Sequence, residues 1–193
     1  MTADLQQVFD TCKEDPSQIF TYIKQGQYDY VESVIINNVV SINLLDNVGN
    51  DVLTRLFKAK QYDLVINLMK KKNWNVNNQN IEGNTFAHIL ACDSSLMAVK
   101  VAEHLTDKSN YIPNIKNNNG DTALDIAIRN NHLCLAFKIL EDKRFNNINM
   151  LSFRNLFNVT VSNKLYGKYS KISNLEIIVD NLIKKDLDKE LKD

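Results

Sequence analysis

Pro113-Asn-Ile-Lys-Asn-Asn-Asn-Gly120-Asp-Thr-Ala-Leu-Asp-Ile-Ala-Ile-Arg-Asn-Asn-His132 holds a turn, a helix start and a helix end in one short run. Gly120 is the residue that a tight turn with positive φ requires. Thr122, two residues on, can cap a helix through its side-chain oxygen. Leu124, Ala127 and Ile128 then fall at i, i+3 and i+4, the stripe of a half-buried helix. Asn130-Asn131-His132 breaks that run, and Leu135, Ile139 and Leu140 resume it on a second helix.

Working outward, the same frame recurs. Gly49-Asn-Asp-Val-Leu-Thr54 and Gly83-Asn-Thr-Phe-Ala-His88 match Gly120-Asp-Thr-Ala-Leu-Asp125, with Asp51 and Thr85 in the capping place of Thr122. Upstream, Ile42-Asn43, Val76-Asn77, Pro113-Asn114 and Ile148-Asn149 are spaced 34, 37 and 35 residues apart. Six residues after each of these Asn come Gly49, Gly83, Gly120 and Asn155. Helical stripes follow the earlier turns too: Leu53, Leu56 and Phe57 before Leu64, Val65, Leu68 and Met69, then Ala87, Leu90 and Ala91 before Met97, Val101, Ala102 and Leu105. Helices of about three turns do not persist alone. A core shared between stacked repeats is therefore expected, with Ala87, Ala91, Ala123 and Ala127 allowing close approach.

The segments 113–132 and 76–91, and more loosely 42–57, resemble ankyrin repeats in their period and in the Gly-x-Thr-x-x-x-x-x-Ala frame. The family's Thr-Pro-Leu-His tetrapeptide reads Asp51-Val-Leu-Thr54, Thr85-Phe-Ala-His88 and Thr122-Ala-Leu-Asp125 here, so His88 alone keeps the histidine. The resemblance implies an all-α, ankyrin-type helical solenoid with short hairpin-like turns between helix pairs. The chain then divides, as a single domain over 1–193, into a cap helix at 1–14, a degenerate repeat at 15–48, repeats at 49–82, 83–119 and 120–154, and a degenerate cap with a charged tail at 155–193. Leu5, Val8, Phe9 and Cys12 give the first cap one apolar face, and Asp15-Pro16 reads as the N-cap and first position of the next helix. At the other end Asn155–Leu165 reads as a degenerate helix, and Ser173-Asn-Leu-Glu176 has capping-box spacing.

Composition narrows the function. The 193 residues carry 23 basic and 23 acidic side chains, a balance unlike that of a protein built to neutralise phosphates. No apolar run reaches the length of a membrane span, and the N-terminus has no secretory pattern. Three cysteines without a CxxC argue against a disulfide framework or zinc module. The expected setting is intracellular, cytoplasmic or nuclear, or a host cytoplasm if the source is a pathogen or virus. The 27 Asn and the excess of Lys over Arg suit AT-rich codons as well as turns. The in-phase Asn43, Asn77, Asn114 and Asn149 read as architecture, and the clusters at 73–80 and 117–119 partly as codon bias.

Candidate chemistry is sparse. His88, His104 and His132 lack metal spacing, Cys92 and Cys134 read as small apolar helix residues, and no phosphate-binding glycine loop is present. No catalytic residue, metal or cofactor is assigned, and the chain reads as no enzyme. Lys70-Lys71-Lys72 reads as a basic helix end. Trp74 has two readings, packing across a repeat junction or an exposed aromatic anchor.

The resemblance implies a concave wall made by turns and first helices. Beside the turn glycines it would carry Asn47, Asn50 and Asp51, then Asn80, Glu82 and Asn84, then Asn117, Asn119 and Asp121. On the first helices it would carry Arg55, Lys58, Asp93, Arg129 and Asn130. The expected role is binding a partner protein, as adaptor, inhibitor or assembly factor, with the chain a monomer or a subunit of a hetero-complex. No nucleic acid is expected. The alternatives are a structural subunit of a larger assembly, marked by exposed Trp74, Phe145 or Phe153, and an enzyme with its site in the C-terminal segment.

Overall fold

The computed structural model describes residues 3–140, 142 and 144. They are all-α. A first helix, α1 (Ala3–Glu14), precedes four helix pairs: α2 (Gln18–Lys24) with α3 (Tyr28–Ile36), α4 (Val52–Lys58) with α5 (Tyr62–Lys71), α6 (Phe86–Ala91) with α7 (Leu96–Thr106), and α8 (Ala123–Arg129) with α9 (Leu133–Leu140). Among the described residues there is no strand, only one isolated antiparallel bridge between Leu45 and Asp51. The expected C-terminal elements at 155–165 and 173–183, together with Ile148-Asn149, Phe145 and Phe153, lie outside the described residues.

These helices are short, so their stability comes from faces buried against neighbours. Second helices pack in a row, α3 on α5, α5 on α7 and α7 on α9, while α2 packs on α4 and α6 on α8. Leu53, Leu56, Leu90 and Leu124 are fully buried between pairs. Ala87, Ala91, Ala123 and Ala127, all buried, line the α6 and α8 junction as their small size predicts. Aromatic rings bridge the preceding junction. Phe86 stands edge-on to Phe57 at 5.4 Å and to Trp74 at 5.0 Å between centroids, the arrangement that aromatic quadrupoles favour. On α1, Val8, Phe9 and Cys12 are buried, closing the row at its N-terminal end.

Helix starts follow the sequence closely. Asp51 Oδ1 accepts the Thr54 N–H at 2.7 Å, and Thr122 Oγ1 accepts the Asp125 N–H at 3.2 Å. Asp125 returns the bond, its carboxylate accepting the Thr122 N–H at 2.8 Å. One start differs: α2 begins at Gln18, not at Pro16. Asp15 takes the Ser17 N–H at 3.0 Å and the Ser17 hydroxyl at 2.6 Å, which winds residues 15–17 into a turn before the regular helix. Cys92 and Cys134, expected as buried or half-buried helix residues, are exposed, because they lie at a helix end and on an outer helix face.

Helix ends show a feature that no sequence motif announced. Lys72 Nζ donates to the Ile36 carbonyl at 2.9 Å and to Asn38 Oδ1 at 2.7 Å, beyond the end of α3. Lys108 Nζ donates to the Met69 carbonyl in the last turn of α5. Arg144 donates to the carbonyls of Thr106 at 2.6 Å, Lys108 at 2.6 Å and Ser109 at 3.2 Å, at the end of α7. Three cations at 36-residue spacing thus satisfy carbonyls left open at helix C-termini and complement their negative dipole ends. Each one finishes the second helix of the preceding pair. Lys70 and Lys71 stand in the last turn of α5, as the basic helix end expected of Lys70-Lys71-Lys72, while Lys72 reaches the end of the neighbouring α3.

Candidate functional site

The turns ahead of α4, α6 and α8 share one hydrogen-bond pattern. Asp46 Oδ1 accepts the N–H groups of Val48 and Asn50, both at 2.9 Å. Asn80 Oδ1 accepts those of Glu82 and Asn84, and Asn117 Oδ1 those of Asn119 and Asp121, all at 3.0 Å. In each turn the glycine N–H donates to the backbone carbonyl of that same Asp or Asn. Gly49, Gly83 and Gly120 have φ of 78°, 74° and 81°, the left-handed conformation that glycine adopts without steric cost.

Successive turns are tied to one another. The Ile81 N–H donates to the Val48 carbonyl at 3.1 Å, and the Asn118 N–H to the Glu82 carbonyl at 3.0 Å. Side-chain amides run alongside: Asn80 Nδ2 donates to Asn50 Oδ1 at 3.1 Å, and Asn117 Nδ2 to Asn84 Oδ1 at 2.8 Å. Asn78 Nδ2 reaches the Gly49 carbonyl and Asn118 Nδ2 the Ile81 carbonyl, both at 3.0 Å. At the far side, Asn43 Oδ1 accepts the Asn75 N–H at 2.8 Å and Asn77 Oδ1 the Ile112 N–H at 3.0 Å. Within the clusters at 73–80 and 117–119, Asn75, Asn77, Asn78, Asn80, Asn117 and Asn118 therefore bond from one turn or connecting segment to the next.

This ladder divides the expected wall residues into two groups. Asn50, Asp51 and Asn117 are buried, and Asn80 and Asn84 are half-buried in the amide ladder. Their outward assignment is corrected: an Asn beside a tight turn faces its neighbour wherever the next turn offers an acceptor. Arg55 is ion-paired with Asp46 and Arg129 with Asp121. Asp93 accepts from Lys60 Nζ and from the Tyr62 hydroxyl, both at 2.7 Å, and from the Ser95 N–H at 2.8 Å. Although burial acts the other way, these donors together hold its carboxyl well below the usual carboxylate range. Asn47, Lys58, Glu82, Asn119, Arg129 and Asn130 remain exposed.

Trp74 is only 3% exposed, so the aromatic-anchor reading is overturned and the packing reading holds. Its indole Nε1–H donates to Asp51 Oδ2 at 2.8 Å, joining the end of one pair to the N-cap of α4. Burial pushes the Asp51 carboxyl above its ordinary range, against the pull of Thr54 and Trp74. Asp51→Ala removes the cap and leaves a buried indole N–H unpaired, offset in part by losing a desolvated carboxylate. The expected cost is about 2 kcal/mol, measured by urea unfolding with Trp74, the single tryptophan, as the fluorescent reporter.

His88 is 2% exposed. The Thr85 N–H lies 3.1 Å from Nδ1, so Nδ1 is the acceptor and the ring proton resides on Nε2. Nε2–H then donates to the Asp121 carbonyl at 3.0 Å, linking α6 to the following turn. His132 Nδ1 lies 3.0 Å from the Ala91 carbonyl, again across a repeat boundary.

The wall is not uniform. Between α2, α4 and the first turn lies an open groove of about 780 Å³, whose lining includes Phe20, Lys24, Tyr28, Leu45, Asn47 and Lys58. The residues that α2 contributes were missed in the sequence, because no turn glycine precedes α2 to put it in register with the other first helices. Among the described residues no three His, Cys, Asp or Glu side chains gather as metal ligands, and no helix is long and apolar enough to cross a membrane. No known protein family matches the sequence, and no curated protein matches it.

Proposed function

We propose that the chain is an ankyrin-type helical solenoid that binds a partner protein through the face formed by its turns and first helices, without catalysis of its own. One observation carries this reading. Three turns of the same geometry, each an Asp or Asn side chain accepting the N–H groups on either side of a glycine, are bonded to one another in register. Such a ladder holds the backbone beneath the exposed side chains at fixed spacing, so little backbone freedom is lost on binding. Asn47, Lys58, Glu82, Asn119, Arg129 and Asn130 supply both charges and amide groups, suited to hydrogen-bonded recognition of a protein surface. An adaptor, an inhibitor and an assembly factor would all use the face in this way. The reading as a structural subunit loses one marker, since Trp74 is inside.

The test is affinity capture from the native source, followed by mass spectrometry, with the full chain and a Lys58→Glu, Glu82→Lys, Asn130→Arg variant. These side chains are exposed, so the variant should unfold within about 0.5 kcal/mol of the wild type per site. The expected result is a protein recovered by the wild type and lost with the variant. Identical recovery by both would overturn the reading.

A further inference from the structure

We infer that the groove between α2, α4 and the first turn receives an extended acidic peptide segment bearing one bulky apolar residue. This rests on the binding role proposed above and assigns the chemistry of the partner at that place.

Charge comes first. The lining carries three cations, Lys24, Arg55 and Lys58, and one carboxylate, Asp46. Asp46 is already neutralised by Arg55, and its side chain is only 5% exposed. Lys24 and Lys58 are exposed and take part in no ion pair among the described residues. The groove therefore presents two unneutralised ammonium groups on a chain whose total charge is zero. A ligand with carboxylates at both sides complements them.

The apolar half follows from Leu45 and Phe20. Leu45 is 43% exposed at the turn, and Phe20 and Tyr28 are half-buried across the groove. In the later turns the places of Leu45 are taken by Gln79 and Lys116. The apolar feature thus belongs to this groove and not to the repeat pattern. Asn47 beside it offers amide hydrogen bonds to an extended backbone. An open groove whose lining joins apolar side chains to two cations suits a chain segment better than a compact solute. A nucleic-acid strand would satisfy the cations but would leave the Leu45 contact without a role.

The experiment uses the full chain and fluorescence anisotropy with three pools of short labelled peptides. The first has a central Leu or Phe flanked by Asp and Glu, the second has Ser at the centre, and the third has Lys and Arg flanks. The first pool should bind at least about tenfold more tightly than the others, and weaken as salt rises from about 0.05 M to about 0.3 M. Lys24→Glu with Lys58→Glu, and separately Leu45→Ser, should each weaken that binding about tenfold or more. Lys100→Glu, exposed on α7, should not. Equal binding of the pools, unchanged affinity in the charge-reversed variant, or a single-stranded oligonucleotide bound equally well with Leu45→Ser would overturn the assignment.

The same Lys24→Glu and Leu45→Ser changes, made together in the capture experiment, separate the two levels. A partner kept by this variant but lost with the wall variant overturns only the acidic-peptide assignment. A partner kept by both overturns the binding reading as well.

Discussion

Gly83→Ala is expected to lower stability by about 3 kcal/mol, well beyond the same change at Gly120. Both glycines hold positive φ, 74° and 81°, so both substitutions carry the left-handed penalty of about 1–2 kcal/mol. Their surroundings differ. A methyl group on Gly83 would meet Asn118 Oδ1 and lie 2.7 Å from the Asn118 backbone nitrogen, whereas at Gly120 no atom of the described residues stands within 4 Å. Asn118 is the residue that donates to both the Glu82 and the Ile81 carbonyls. Displacing it breaks two bonds between turns in addition to straining one. Gly49→Ala should fall between, since its methyl would lie 3.0 Å from the Asn80 Cα. Urea midpoints followed by Trp74 fluorescence give the order. Equal losses at Gly83 and Gly120 would show that the contact between turns contributes nothing.

The second large effect is at His88. His88→Ala is expected to cost about 3 kcal/mol, from the cavity and from leaving the Thr85 N–H and the Asp121 carbonyl unpaired. A milder variant, His88→Gln, isolates the titration. Burial, the largest influence on this ring, pulls its pKa below 6.5 in the folded chain. A proton on Nδ1 would also face the Thr85 N–H. The unfolded chain therefore takes up the proton first as pH falls. The contribution of His88 is fully present above about pH 6.5 and is lost as pH drops toward its folded value. Asp93, whose pKa is lowered, acts in a lower window, losing its contribution only as pH falls below about 4. Asp51 has the opposite sign, its folded pKa being raised, so its burial weighs against the fold once pH exceeds its unfolded value. The difference in urea midpoint between wild type and His88→Gln, measured from about pH 7.5 to about pH 5, removes the Asp51 contribution. That difference should shrink with acidification, and a constant difference would refute the assignment of His88 as the titrating group.

What could be read in advance divides along physical lines. Gly49, Gly83 and Gly120, with Asp51 and Thr122 two residues beyond, announced turns and helix starts because those features depend on a residue's own φ and on a bond three residues away. The helix stripes were legible for the same reason: their period is local. Asn50 and Asn117 were placed outward because a turn residue can face water or the next turn, and only the neighbour's position decides. The same ambiguity made Asn75, Asn78 and Asn118 look like composition, although each bonds across a repeat boundary. Trp74 suits a surface or an interior equally by its own chemistry, and the Asp51 carboxylate within reach of its indole decides for the interior. The groove at α2 was hidden because Phe20 and Lys24 follow no turn glycine. Lys108 and Arg144 left no trace, and Lys72 only that of a basic helix end, since their partners are backbone carbonyls, which any sequence supplies.

Those three cations also set where the chain can be cut. Each side chain arrives one repeat later than the helix it finishes, so a fragment ending at a turn boundary keeps its last second helix but loses the group that closes it. A fragment ending at 82 would contain all of α5 and lack Lys108, and one ending at 119 would contain all of α7 and lack Arg144. The cooperative module is therefore offset from the helix pair, extending from one pair into the connecting segment of the next.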